Sequence, residues 1–227
     1  MMKLQAGGRD ITVFGGKQAE TVVWMHTFSD EAQVAFDLLP EEMQANTAVA
    51  AIAVPDPDWN AVLSPWEAPA LFKNEPPFAG NADTHLHILT DSIMPEVCAA
   101  CGFAPKRNLI AGYSLAGLFA LYALWNTDLF SGGASVSGSL WYPEFSAYLR
   151  ENQPVRKPDA VYLSLGDREC RARNPVLAAV QEQTEHVAAF LQACGIPSVF
   201  VLNPGGHTNQ SAARTANALK WLILQYN

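Results

Sequence analysis

The chain has 227 residues, 49% of them hydrophobic and 16% charged, and a formal net charge of -8. That length fits a single α/β domain, residues 1–227, around one core, and the low charged fraction points to a sheet covered on both faces. The acidic balance, with no basic run longer than Lys106-Arg107, excludes the basic stripe by which proteins displace counterions from nucleic acid.

No stretch is long and apolar enough to span a bilayer, and Met1-Met2-Lys3 leads into Leu4–Asp10 without an apolar leader. Four cysteines are too few for a disulfide scaffold in a chain of this size. The expected setting is the cytoplasm, with no membrane partner.

Thr21–His26 is short, β-branched and apolar, as a buried central strand is. Glu31–Glu42 carries Ala32, Ala35, Phe36, Leu38 and Leu39 on one helical face, which breaks near Pro40. Ala48–Val54 is a second apolar strand, ended by Pro55. Residues 55–83 are rich in Pro, Trp and Asn without sustained periodicity, and so read as a long functional or mobile loop. Asp83–Cys101 spaces Leu86, Leu89, Ile93 and Val97 as a helix, with Gly102 just beyond it. Strands follow at Asn108–Gly112, Gly132–Ser137, Ala160–Leu165 and Pro197–Leu202. Helices follow at Leu115–Trp125, from Asn174-Pro175 to Gly195, and at Ser211–Tyr226. Alternation of this kind calls for a mostly parallel, doubly wound sheet with helices on both faces.

Gly112-Tyr113-Ser114-Leu115-Ala116-Gly117 lies between a strand and a helix. A nucleophile elbow needs small residues two before and two after its serine, because a larger side chain there meets neighbouring backbone. Gly112 and Ala116 satisfy that need, with Ala where Gly is usual. The turn also sets Ser114 at a helix N-terminus, where free N–H groups favour developing negative charge.

The general base should follow the last strand, and His207 does, in Asn203-Pro204-Gly205-Gly206-His207. The acid should follow the strand Ala160–Leu165, where Gly166-Asp167-Arg168-Glu169 offers two carboxylates. A G-x-x-D/E turn selects Glu169, with Asp167 the alternative. One oxyanion donor should be the N–H of Leu115, and the other should come from the loop after His26, where Phe28 is placed to supply it. His26 is expected to brace that loop. His85 and His186 read as ordinary helix positions. His85 and His87 would point to different helix faces, so no metal site is expected. Cys98-Ala99-Ala100-Cys101 reads as packing or as solvent-facing thiol.

The elbow, the Gly166–Glu169 turn, Gly206-His207, and the stretches Asp58–Asn60, Ser64–Trp66 and Ser137–Pro143 resemble the putative esterase family of α/β hydrolases. Siderophore esterases, feruloyl esterases, S-formylglutathione hydrolases and mycolyltransferases belong to that family. The resemblance runs from about Ile11 to the C-terminus. It implies an α/β-hydrolase fold and a cofactor-free serine esterase acting on a small-molecule ester, with Ser114, His207 and Glu169 as nucleophile, base and acid. The departures are Ala116 in the elbow and Thr27 where Gly usually follows the histidine. Trp59, Trp66 and Trp141 are candidates for a substrate pocket, because ligands of open α/β sheets bind at the carboxyl ends of strands. Two rival readings are an acyltransferase on the same fold and a catalytically silent binding protein. The intact order of serine, acid and histidine disfavours the silent protein.

Overall fold

The computed structural model describes residues 1–16, 19–27 and 29–226. One sheet contains β1 (Met2–Ala6), β2 (Arg9–Gly15), β3 (Thr21–Thr27), β4 (Thr47–Ala53), β7 (Arg107–Tyr113), β8 (Gly132–Val136), β9 (Ala160–Gly166) and β10 (Ser198–Asn203). A separate two-stranded ribbon pairs β5 (Glu67–Ala68) with β6 (Phe78–Ala79). The strand order in the sheet is β1-β2-β4-β3-β7-β8-β9-β10. From β4 to β10 every neighbour is parallel, whereas β1 and β2 join antiparallel at one end.

The continuous apolar strands follow from covering on both faces, since successive side chains point opposite ways. In β3, Val22 and Trp24 enter one core and Val23 and Met25 the other. In β4, Ala48, Ala50 and Ile52 alternate in the same way with Val49 and Ala51. The second core is closed by α1 (Glu31–Asp37) and by Ala218, Leu219, Leu222 and Ile223 near the C-terminus. The first core is larger. It takes α6 (Leu115–Asn126), buried all round from Leu115 to Trp125, which explains why that segment lacks a polar face.

The remaining helices are α2 (Glu41–Asn46), α3 (Asp56–Val62), α4 (Ala82–Ile88), α5 (Met94–Cys101), α7 (Phe145–Glu151), α8 (Pro175–Ala178), α9 (Val180–Ala193) and α10 (Ser211–Leu224). Several departures from the expected elements have local causes. Pro40 separates α1 from α2, because the residue before a proline avoids helical geometry. The expected helix 83–101 is continuous but widens into a π turn over Leu89–Ile93. Pro95, at the start of α5, has no N–H to return to the preceding turn. The helix beginning at Asn174 is capped as expected, its Oδ1 accepting the Val176 N–H at 3.0 Å, but it is interrupted at Ala179 before α9. Residues 55–83 are not wholly irregular, since they hold α3 and the ribbon. The β1–β2 hairpin was not anticipated. Its two-residue turn, Gly7-Gly8, has positive φ at both positions, as the tight turns that match strand twist require.

Reversal of strand order between β3 and β7 opens a crevice at their carboxyl ends, the usual place for a ligand in such sheets. Among the described residues, no helix is long and apolar enough to cross a membrane.

Candidate active site

Ser114 sits at that crevice, between β7 and α6, with φ 59° and ψ -124°. A non-glycine residue in this region is strained by about 1–3 kcal/mol and persists only when its surroundings hold it. The Ser114 N–H donates to the Val136 carbonyl at 3.0 Å, and the Ser114 carbonyl accepts from Gly117 and Ser139 at 3.0 Å each. Tightness of the elbow accounts for Gly112. A Cβ there would lie 2.2 Å from the Ala116 carbonyl oxygen and 2.7 Å from the Ala116 Cβ. Because the shortest of these contacts is to backbone, position 112 must be glycine whatever stands at 116, and with Gly at 112 an alanine is accommodated at 116. Leu115 opens α6, where the first N–H groups have no carbonyl behind them in the helix.

His207 follows β10 and brings both ring nitrogens to partners. Its Nε2 is 3.1 Å from Ser114 Oγ, and its Nδ1 is 2.7 Å from Glu169 Oε2. The imidazole is about half exposed, with 45% of its side chain accessible, whereas the Glu169 side chain is buried. Glu169 begins a short 3₁₀ turn after β9. Its other oxygen, Oε1, accepts the Gly166 N–H at 2.6 Å and the Ser137 hydroxyl at 2.8 Å, and lies 3.4 Å from Arg214 Nη1. Burial works to raise the Glu169 carboxyl. The hydrogen bonds from His207 and the Gly166 N–H outweigh it and hold the group below its ordinary value.

Asp167, the alternative acid, does a different job. Its Oδ1 accepts the Gly205 N–H at 2.8 Å, while the Arg168 N–H donates to the Gly205 carbonyl at 3.1 Å. These bonds stitch the loop after β9 to the loop that carries His207. Tyr113 adds another tie, its hydroxyl donating to the His207 carbonyl.

His26 is not at the reacting end of the crevice. It is buried, with its Nε2 2.9 Å from His85 Nε2 and its ring edge-on to Phe119. Burial, then the charges of His85 and Arg9, hold His26 well below the ordinary histidine value. Burial, then Arg9, brings His85 down to about 4. His85 does stand on a helix, α4, with its ring buried in the core. The second expected oxyanion donor, Phe28, lies outside the described residues.

A cleft of about 450 Å³ opens beside Ser114. Trp59, Phe72, Phe78 and Trp141 form much of its wall, and its charged lining combines Arg168 and Arg171 with Glu75 and Glu169. Trp66, expected there, is not among the lining residues. Its ring packs on Tyr142, Phe145 and Tyr148, and its indole N–H donates to the Pro143 carbonyl at 3.1 Å, so it fastens the long loop to α7. Among the described residues, no group of three or more His, Cys, Asp or Glu side chains is arranged to hold a metal ion.

Sequence reasoning passed over Ser137 and Arg214. Ser137 has φ 45° just past β8, and Arg214 is 2% exposed on α10. A charged residue carries no local mark of burial, so Arg214 had no signal in the sequence. A serine hydroxyl joined through an imidazole to a buried, charge-stabilised carboxylate can lose its proton to the imidazole as it attacks an electrophilic carbon.

The model of the family described as Putative esterase matches residues 16–210. No curated protein matches the chain in sequence. Among solved structures, an IroE-like serine hydrolase from Shewanella oneidensis superposes with a TM-score of 0.79 at 18% identity, over 95% of this chain and 76% of that one. The siderophore hydrolase EstA from Aspergillus nidulans gives 0.70 at 19% identity, over 96% and 90%. The enterobactin esterase FES from Shigella flexneri gives 0.65 at 20% identity, over 96% of this chain but 55% of that one. At such identities the likeness is one of fold, the α/β-hydrolase arrangement of sheet and helices.

Proposed function

The chain belongs to the putative esterase family, and from that premise we propose that it is a serine esterase working through an acyl-enzyme on Ser114. The observation that carries this reading is the continuous run from Ser114 Oγ through His207 to the buried Glu169, at 3.1 and 2.7 Å. His207 Nε2 takes the Ser114 proton as Oγ bonds to the ester carbonyl carbon, giving a tetrahedral oxyanion. The Leu115 N–H, at the start of α6, stabilises that charge. Collapse of the intermediate breaks the bond to the alkoxy oxygen, which leaves as an alcohol with the proton from His207. Water then attacks the acyl-enzyme while His207 takes its proton, and the acid departs as Ser114 regains its hydrogen. Glu169 holds the imidazole in the tautomer with Nε2 free and stabilises the imidazolium.

The aromatic wall formed by Trp59, Phe72, Phe78 and Trp141 favours an ester with an aryl part, aryl siderophore esters included. The test is direct. Wild-type protein should hydrolyse short p-nitrophenyl esters and be labelled by a fluorophosphonate, and Ser114→Ala should do neither. Wild-type protein that neither labels nor cleaves any ester in an aryl, acyl and siderophore panel would falsify the reading.

A further inference from the structure

One buried side chain touches both loops of the proposed relay without touching Ser114. Arg214, in the first turn of α10, is 2% exposed. Its Nη1 donates to the Ser137 hydroxyl at 3.1 Å and lies 3.4 Å from both Glu169 Oε1 and the Tyr113 hydroxyl. Its Nη2 donates to the carbonyls of Pro204 and Gly206, at 3.1 Å each. Burying a guanidinium costs both desolvation and side-chain freedom, so the position demands that its charge and its planar fork be used.

The partners divide in an informative way. Glu169 has two oxygens, and Arg214 meets the one turned away from His207. With Oε1 held by the Gly166 N–H, Ser137 and Arg214, rotation of the carboxylate would break these bonds, and Oε2 is aimed at His207 Nδ1 at 2.7 Å. The two carbonyls that Nη2 binds belong to the residues just before His207. Tyr113, beside Nη1, holds the His207 carbonyl itself. Acid and base come from loops after different strands, and the guanidinium spans the gap between them.

We propose that Arg214 is a positioning residue for hydrolysis, setting the Glu169 carboxylate and the His207 loop in register with each other from the last helix. The inference rests on the reading of Ser114, His207 and Glu169 given above. Lysine could put a charge near Oε1 but has no planar fork to span both carbonyls, so it should restore function only in part. A mere stabilising role would lower the melting temperature and leave the turnover of folded protein alone.

The experiment compares Arg214→Met, Arg214→Lys and Ile223→Val with the wild type, using p-nitrophenyl acetate well below each melting temperature. Ile223 is buried on the same helix and packs in the second core. Loss of a charge-assisted hydrogen bond predicts that Arg214→Met lowers kcat about 10- to 100-fold, with KM little changed and the far-downfield proton resonance of the His207 Nδ1–H weakened. Arg214→Lys should fall between that variant and the wild type, and Ile223→Val should lose melting temperature only. If Arg214→Met does not fold, Arg214→Lys decides by the same readouts. Wild-type kcat and an intact resonance in whichever Arg214 variant folds, with Ser114→Ala inactive, would overturn this inference alone. Activity or labelling retained in Ser114→Ala would instead sink the reading on which it rests.

Discussion

Two histidines come close to the elbow, and the chain treats them in opposite ways. His26 is on β3, in register with Gly112 on β7, two residues before Ser114. His207 arrives from far along the chain, on the loop after β10. Yet it is His207 that reaches Ser114, with a carboxylate on its other nitrogen and nearly half its side chain open to water. The His26 ring turns into the larger core, against His85 and Phe119, where burial disfavours its charged form. Proximity in the sheet therefore does not bring a histidine to the serine. The base proposed above must accept a proton and keep it briefly, which a carboxylate on its other nitrogen favours.

The sharpest way to break this contrast is to exchange the losses. His207→Gln should lower kcat by about 10⁴- to 10⁶-fold, whereas His26→Phe should leave turnover near wild type in the protein that folds. Equal losses in both, measured on folded protein, would refute the division of roles. The same logic separates the two carboxylates. Glu169→Gln should cost about 10⁴-fold in kcat, because the imidazole loses the partner that fixes its tautomer. Asp167→Asn can still accept the Gly205 N–H and should show no comparable loss. A deep deficit in Asp167→Asn with activity kept in Glu169→Gln would reverse the assignment.

Much of this site was legible before the structure because its signals are local. The Gly112–Gly117 elbow announces itself by small residues at fixed spacing, and His207 by its place after the last strand. The proposed acid was less legible. Two carboxylates in one four-residue turn differ only in where the loop aims them, and Glu169 faces His207 because the Gly166 N–H and Ser137 hold its other oxygen. Arg214 was invisible, since it acts on residues that lie from 8 to 101 positions away in sequence. Trp66 shows the same limit for aromatics, because composition cannot tell a pocket wall from a loop anchor. The β1–β2 hairpin, by contrast, did carry a signal in Gly7-Gly8 between polar and apolar alternation.

The buried pair offers a second test of the contrast, through stability. Folding disfavours the protonated forms of His26 and His85, so the unfolded chain binds more protons as pH falls below the ordinary value of 6.5. Stability should therefore drop as pH falls from 6.5 to about 4, the value to which His85 is brought down. For His85 alone the loss by pH 4.5 is about 2–3 kcal/mol. Denaturant unfolding at pH 7.5 and 4.5 measures it, and the double variant His26→Phe, His85→Phe should show a smaller difference. An unchanged pH dependence in that variant would mean that acid acts elsewhere.

The smallest effects belong to two tryptophans that divide along the same line between crevice and interior. Trp141 lines the cleft beside Ser114, so Trp141→Ala should act on the substrate, raising KM for an aryl ester by about tenfold through lost aromatic contact. An aliphatic ester of similar length should feel less of this loss. Trp66 packs on Tyr142, Phe145 and Tyr148 and is tied to the Pro143 carbonyl. Trp66→Ala should therefore cost about 1–3 kcal/mol of stability and leave KM close to wild type. The two readouts cross over. If Trp66→Ala raised KM selectively for aryl esters while Trp141→Ala changed only stability, the aromatic surface that meets the substrate would be the one behind the loop, and the cleft would need a different wall.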